Sequence, residues 1–146
     1  MYLLDTNVLS ELREGKPHAD AHVLAWAAGV PLGTQYVSTI TLMELEIGIL
    51  RLERRSPPGG QALRAWLAGV RQLFAGRTLA VDDAVTQRCA RLHVPDPASP
   101  HDALIGATAL AHGMTLVTRN SSDFEGMGIT LLNPWLPDAV SVASIP

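Results

Sequence analysis

Residues 2–12 read YLLDTNVLSEL. The apolar run from Tyr2 to Leu4 ends in Asp5, and the following TNVLSEL has the spacing of an amphipathic turn of helix. A strand that runs through a carboxylate into a helix is the opening unit of an open α/β sheet. It delivers Asp5 to the carboxyl edge of the first parallel strand, where ligands and metals collect. Three further acids, Glu44, Asp102 and Asp123, fall at comparable strand-to-helix junctions. One site assembled from all four is the expectation.

The rest of the chain continues the alternation. Apolar strand candidates lie at 2–5, 36–39, 78–82, 115–118 and 129–132, and helical spacing fills 18–29, 40–55, 60–76, 83–92 and 100–113, the last closing at Gly113. Strands alternating with helices predict a three-layer α/β domain, its central sheet mostly parallel and covered by helices on both faces. RSPPGG at 55–60 is a turn between two helices, which predicts a helical hairpin over 41–75; VPDPASP at 94–100 is a second breaker. One domain is expected over 1–136, with residues 137–146 a loose tail lacking periodicity.

Composition narrows the class. A chain of 146 residues, 47% hydrophobic and 17% charged, buries a core without disulfides or a structural metal. Its formal charge of −3 excludes a basic module that holds nucleic acid by charge alone. Ten arginines accompany a single lysine, Lys16; the arginine fork suits phosphate, and a GC-rich genome produces the same bias. Cys89 has no partner for an internal disulfide and reads as a buried thiol on a helix face. No stretch approaches the ~20 apolar residues of a membrane span and no signal segment is evident, so a cytoplasmic location is expected.

Each acid, taken singly, has a structural explanation. Thr41-Leu-Met-Glu44 has the spacing of a capping box, Ser99-Pro-His-Asp102 repeats it with Pro100 at the first helical position, and Asp5 and Asp123 read as caps of their own turns. Taken together they carry more. Four carboxylates at one sheet edge repel, and helix dipoles, at ~0.3 to 1 kcal/mol each, offset only part of that. A divalent cation resolves the conflict, and an all-oxygen ligand set without nearby His or Cys selects a hard ion, Mg²⁺ or Mn²⁺. Phosphodiester hydrolysis is the fitting chemistry, with Asp5 central, Asp102 sharing a metal, and Glu44 and Asp123 completing the shell. Thr6, Asn7 and Thr118 are short polar side chains suited to orienting water or phosphate.

Other groupings are weaker. His18 and His22 have the spacing of a helical metal pair but lack a third ligand, and read as surface histidines. His101 fits either a phosphate contact or an exposed helix start. Ser121 and Ser122 lack a triad. Trp26, Trp66 and Trp135 read as packing residues.

With the acids in view, LLDTNVLSEL (3–12), STITLMELEIGI (38–49), HDALIGATALAHG (101–113), TLVTRNSSDFEG (115–126) and LLNPW (131–135) together resemble the PIN-domain ribonucleases, specifically the VapC and FitB-like toxins of bacterial toxin–antitoxin pairs. The resemblance implies a Mg²⁺- or Mn²⁺-dependent endoribonuclease, working as a homodimer and neutralised by a cognate VapB-like antitoxin that meets the hairpin 41–75. Its acidic site falls on Asp5, Glu44, Asp102 and a fourth residue in the TRNSSDF block. There Asn120 occupies a place where many relatives have an acid, and Asp123 follows three residues later; the fourth position is assigned to Asp123, with Asn120 and Thr118 as polar support. The outward apolar residues expected on the hairpin are Ile49, Leu50, Trp66 and Leu67, with Arg51, Arg54, Arg55, Arg64 and Arg71 facing RNA or solvent. A receiver domain would need a lysine near the last strands, and a haloacid-dehalogenase-type phosphatase an aspartate where Asn7 stands. The alternative from another class is a non-catalytic PIN-like module that binds RNA or protein and acts as an antitoxin-bound co-repressor, touching DNA only through its partner.

Overall fold

In the computed structural model, which describes residues 1–139 and 142–143, the expected alternation forms one sheet. The elements run β1 (Tyr2–Leu4), α1 (Thr6–Glu11), α2 (Ala21–Gly29), β2 (Gln35–Ser38), α3 (Thr39–Arg55), α4 (Gln61–Leu73), β3 (Thr78–Leu79), α5 (Asp83–Leu92), α6 (Pro100–His112), β4 (Thr115–Val117), β5 (Thr130–Leu132) and β6 (Val142–Ala143). Short 3₁₀ turns occupy Leu32–Thr34, Pro57–Gly60 and Ser121–Phe124. The strand order is β3-β2-β1-β4-β5-β6, parallel through β5, with β6 antiparallel to β5. The segment expected as a loose tail thus contributes a pairing strand; the rest of it beyond Ala139 lies outside the described residues.

From β1 the chain winds outward to β2 and β3, then returns to place β4 on the other side of β1. The winding direction reverses between β1 and β4, and a crevice opens there at the carboxyl ends of the two strands. Asp5 and Thr118, the residues that immediately follow β1 and β4, flank it.

Period-two alternation assigns each strand residue to a layer. Leu3, Leu116 and Leu131 pack with Ile105, Ala109 and Phe124 on the α6 side. Leu4, Val37, Val117 and Leu132 pack with Val8 of α1, Leu42 and Leu45 of α3 and Leu67 of α4 on the other. Each fully buried side chain of this size contributes roughly 1.5–3 kcal/mol. Val85 and Cys89 of α5 close against Ala103 and Ala107 on α6. The Cys89 thiol is buried as expected, and its pKa is raised by that burial.

Two glycines on α6 and at its end have specific reasons. Gly113 caps α6 in the left-handed region (φ 61°), its N–H donating to carbonyls of the last turn. A Cβ on Gly106 would stand 2.9 Å from Ile129 Cδ1 and 3.0 Å from Met127 Sδ, so a larger residue here requires the ends of those two side chains to shift.

Several local expectations are corrected. The helix expected from residue 18 begins at Ala21, because the Asp20 side chain accepts from the His22 and Val23 N–H groups. His18 lies outside it with φ 56°, so His18 and His22 do not share a helical face. The strand expected over 78–82 pairs only at Thr78–Leu79, since Asp82 turns to cap α5 through Val85 N at 3.0 Å. In the hairpin formed by α3 and α4, Ile49 and Leu67 are core residues at 3% and 1% exposure, while Leu50 faces outward and Trp66 is half-buried. Arg64 bridges Glu46 and Glu53 across the hairpin and is engaged, whereas Arg51, Arg54, Arg55 and Arg71 are exposed. Lys16 pairs with buried Glu11, far in sequence from the last strands.

Candidate active site

Asp5 caps α1 with extended backbone (φ −72°, ψ 161°), a conformation that turns the chain from β1 into the helix and leaves the carboxylate at the crevice. Its Oδ1 accepts from Thr6 N at 2.8 Å. Its Oδ2 accepts from Thr118 Oγ1 at 2.7 Å and from Asn7 Nδ2 at 3.4 Å. The Thr118 bond spans the point where the sheet reverses direction. Asp5 is only 6% exposed. Burial pushes its pKa up; the Thr118 and Thr6 bonds pull it down, and the charges of Glu44 and Asp102 raise it again.

Glu44 arrives on the second turn of α3. Ser38, not Thr41, caps that helix, accepting from Ile40 N at 3.0 Å, so the capping-box reading of Thr41 and Glu44 does not hold. Freed from that duty, Glu44 Oε1 accepts from Thr6 Oγ1 at 2.7 Å and Oε2 stands 3.4 Å from His101 Nδ1. Asp102 occupies the first turn of α6, half-buried. Burial is the main cause that raises its pKa, with the charges of Asp123 and Glu44 adding; a Ser99 side-chain hydrogen bond and His101 oppose. Asp123 projects from the exposed face of the 3₁₀ turn, and its charge reaches Asp102. Asn120 turns its backbone N–H to Thr118 Oγ1 at 3.1 Å, and Arg119 N donates to Asn7 Oδ1 at 3.3 Å.

The structure therefore brings Asp5, Glu44, Asp102 and Asp123 into one electrostatic chain, with Thr6, Asn7 and Thr118 bonded directly to its members. Asn120 is joined through its backbone rather than its side chain. The His101 contact to Glu44 is the one that neither spacing nor motif separated from an exposed helix start; its signal was a histidine beside the acid of a helix first turn. Trp26, Trp66 and Trp135 pack against the core, Trp26 edge-on to Tyr2 at 5.3 Å and Trp135 under the Arg119 guanidinium.

These residues fit a hard divalent ion. The donors are all oxygens, and among the described residues no lysine or arginine forms an ion pair with any of the four acids. Among the described residues no three His, Cys, Asp or Glu side chains stand together closely enough to hold a metal ion by themselves.

The raised pKa of Asp5 fixes the sign of a stability effect. The folded protein holds this proton more tightly than the unfolded chain, so the stability from the group is fully present below the ordinary value of 3.8 and lost as pH rises through the raised one. Glu11 and Glu53, lowered by Lys16 and Arg64 bonds, act in the opposite direction. Comparison with Asp5→Asn isolates Asp5: in chelator, the variant's stability advantage over wild type in urea unfolding narrows as pH falls from 8 toward 4. A constant gap would show that the buried charge is not its source.

Residues 2–128 match the PIN domain. The plasmid stability protein StbB of Pseudomonas syringae pv. tomato is 39% identical, covering 92% of this chain and 99% of its own length. The VapC ribonuclease Y4jK of Sinorhizobium fredii is 37% identical, over 94% and 99%, and toxin FitB of Neisseria gonorrhoeae 33%, over 92% and 99%. Among solved structures, FitAcB from Neisseria gonorrhoeae superposes with a TM-score of 0.83 at 32% identity, covering 92% of this chain and 99% of that one. FitAB bound to an IR36 DNA fragment gives 0.80 at 31%, over 93% and 96%. With the sheet order, the acidic crevice and this coverage in agreement, the chain belongs to the PIN-domain family.

Proposed function

We propose that this chain is a VapC-like toxin: an endoribonuclease that hydrolyses RNA phosphodiester bonds with Mg²⁺ or Mn²⁺ and is held inactive by a cognate VapB-like antitoxin. The observation that carries this reading is the buried Asp5 carboxylate, fixed by Thr118 across the reversal point of the sheet and facing the charges of Glu44 and Asp102. Relatives named ribonuclease and toxin, similar over nearly their full length, support it.

In the proposed mechanism, Asp5 and Asp102 would hold the cation, and Glu44 and Asp123 would complete its shell directly or through water. A bound Mg²⁺ or Mn²⁺ supplies positive charge that lowers the pKa of a water and neutralises the phosphate. Thr118 and Thr6 fix the carboxylate rotamers, so that the acids need no reorganisation when substrate enters. Asn7 steadies both Asp5 and the backbone after β4. Asp123, exposed at the rim, and Asn120 beside it complete the wall that RNA meets.

The antitoxin is placed on the α3–α4 hairpin, where Met43, Leu50 and Leu73 are exposed, and in the groove beside it, lined by Thr6, Arg13, Glu44, Gly48, Leu63 and Trp66. Glu44 and Thr6 line this groove, so a basic side chain carried by the partner would meet an acid of the site there and compete with the cation. The FitAB neighbour on DNA favours a second role for the pair, repression at a DNA site. A chain of net charge −3 with no helix-turn-helix leaves the DNA contacts to the partner. Among the described residues no helix is long and apolar enough to cross a membrane; a homodimer acting in the cytoplasm completes the proposal.

The test is incubation of the purified, antitoxin-free chain with total bacterial RNA in Mn²⁺, Mg²⁺ or EDTA, with cut ends mapped. Discrete cuts that need the cation establish the nuclease and identify its substrate. Intact RNA from a folded preparation in either cation would replace it with the non-catalytic module.

A further inference from the structure

Thr41 stands on α3 one helical turn before Glu44. It is fully buried, and its hydroxyl finds no hydrogen-bond partner among the described residues. The two other buried threonines are both satisfied: Thr118 donates to Asp5 at 2.7 Å and Thr108 to the Leu104 carbonyl at 2.8 Å. Thr108 shows the usual solution inside a helix, a bond back to the carbonyl four residues earlier. That solution is missing at Thr41 because α3 begins at Thr39, so the residue four back, Val37, belongs to β2. An unpaired buried hydroxyl costs stability that an isosteric valine would not, and such a group in a native protein calls for an incoming partner.

Helix geometry identifies where that partner sits. Residues three apart share a helical face, and the Glu44 on Thr41's face reaches Thr6 and His101. Helical side chains lean toward the N-terminus, which carries Thr41 toward the end of β2, beside the end of β1 where Asp5 stands. The other hydroxyls there are engaged: Thr6 and Thr118 donate to Glu44 and Asp5, and Ser38 accepts from Ile40 N. Thr41 is the buried hydroxyl at this edge left to receive an oxygen from outside the chain.

We propose that Thr41 is a positioning residue of the cation site, its hydroxyl holding a water of the divalent ion's shell behind Glu44. The inference rests on reading the four acids as a metal site. It separates Thr41 from a helix cap, the role its sequence spacing suggested, and from a packing residue, since valine fills the same volume.

Calorimetric titration of Mn²⁺ into the metal-free full chain tests it, with wild type, Thr41→Val, Thr41→Ser and Asp5→Asn compared and thermal unfolding in EDTA recorded for each. The expected result is an affinity about tenfold weaker in Thr41→Val, the usual effect of losing a group that orients a metal's ligands, in a variant whose melting temperature without metal is equal to or above wild type. Thr41→Ser, which keeps the hydroxyl, restores the affinity. Wild-type affinity in Thr41→Val, together with its loss in Asp5→Asn, overturns the assignment of Thr41 and leaves the metal site standing. No Mn²⁺ binding by wild type overturns the metal site itself, and the Thr41 assignment with it.

Discussion

Asp5→Asn is expected to lose nearly all RNA cleavage and at the same time to make the metal-free protein harder to unfold. Asparagine keeps the size of the side chain and one acceptor for the Thr118 hydroxyl, but it cannot carry the charge. Losing a preorganised charged group at a reacting centre lowers the rate by ~10²–10³-fold or more. Stability moves the other way because burial and the charges of Glu44 and Asp102 all disfavour the ionised carboxylate. Removing that charge stabilises the fold by on the order of 1 kcal/mol, a rise in melting temperature of ~2–4 °C for a domain of this size. Cleavage assays in Mn²⁺ and thermal unfolding in EDTA read the two effects separately. Cleavage at the wild-type rate would reduce Asp5 to a helix cap; a lower melting temperature would mean that its hydrogen bonds outweigh the cost of its charge.

Phe124→Ala has the largest expected effect on stability. Phe124 is fully buried among Leu3, Ile105, Leu116 and Ile129, against the face of α6 that Gly106 leaves bare. Truncating such a ring costs ~3–5 kcal/mol, a large share of the 5–15 kcal/mol that holds a typical domain together. The consequence reaches the site because Phe124 ends the 3₁₀ turn that carries Asp123, and no side-chain cap at Asn120 holds that turn from its other end. Urea unfolding measures the loss, and cleavage in the absence of urea at a temperature where the variant remains folded measures displacement of Asp123. Phe124→Leu keeps most of the apolar volume, costs under ~1.5 kcal/mol and retains cleavage. Full activity in folded Phe124→Ala would remove Asp123 from the site.

Asp5 was legible as a strand-end residue because a carboxylate between an apolar run and a helix start is a local pattern. Glu44 instead lies on the second turn of α3, Asp102 on the first turn of α6, which follows α5 rather than a strand, and Asp123 in a 3₁₀ turn. What they do there was less so. Thr41 and Glu44 have capping-box spacing, yet Ser38 caps the helix and Glu44 accepts from Thr6 instead. Ile49 and Leu67 sit among the hairpin's apolar residues but turn to the core, while Leu50 faces out; an apolar stripe states that a face exists, and packing chooses which flank of it is covered. Arg64, open in the sequence between an RNA contact and a solvated face, is instead paired with Glu46 and Glu53 across the hairpin.

The sequence by itself determined the layers, the parallel sheet and the residues at its carboxyl edge. Period-two and period-3.6 patterns, breakers and Gly113 all act within a few residues, so their consequences follow from backbone geometry alone. Only the tertiary structure decided which hydroxyl meets which carboxylate. Thr6 reaches Glu44 across 38 residues because β2, which leads into α3, lies beside β1, and Thr118 reaches Asp5 across 113 because β4 returns to β1's other side. A hydrogen bond needs its atoms placed to a fraction of an ångström, and no local pattern carries that information between segments joined only by the fold.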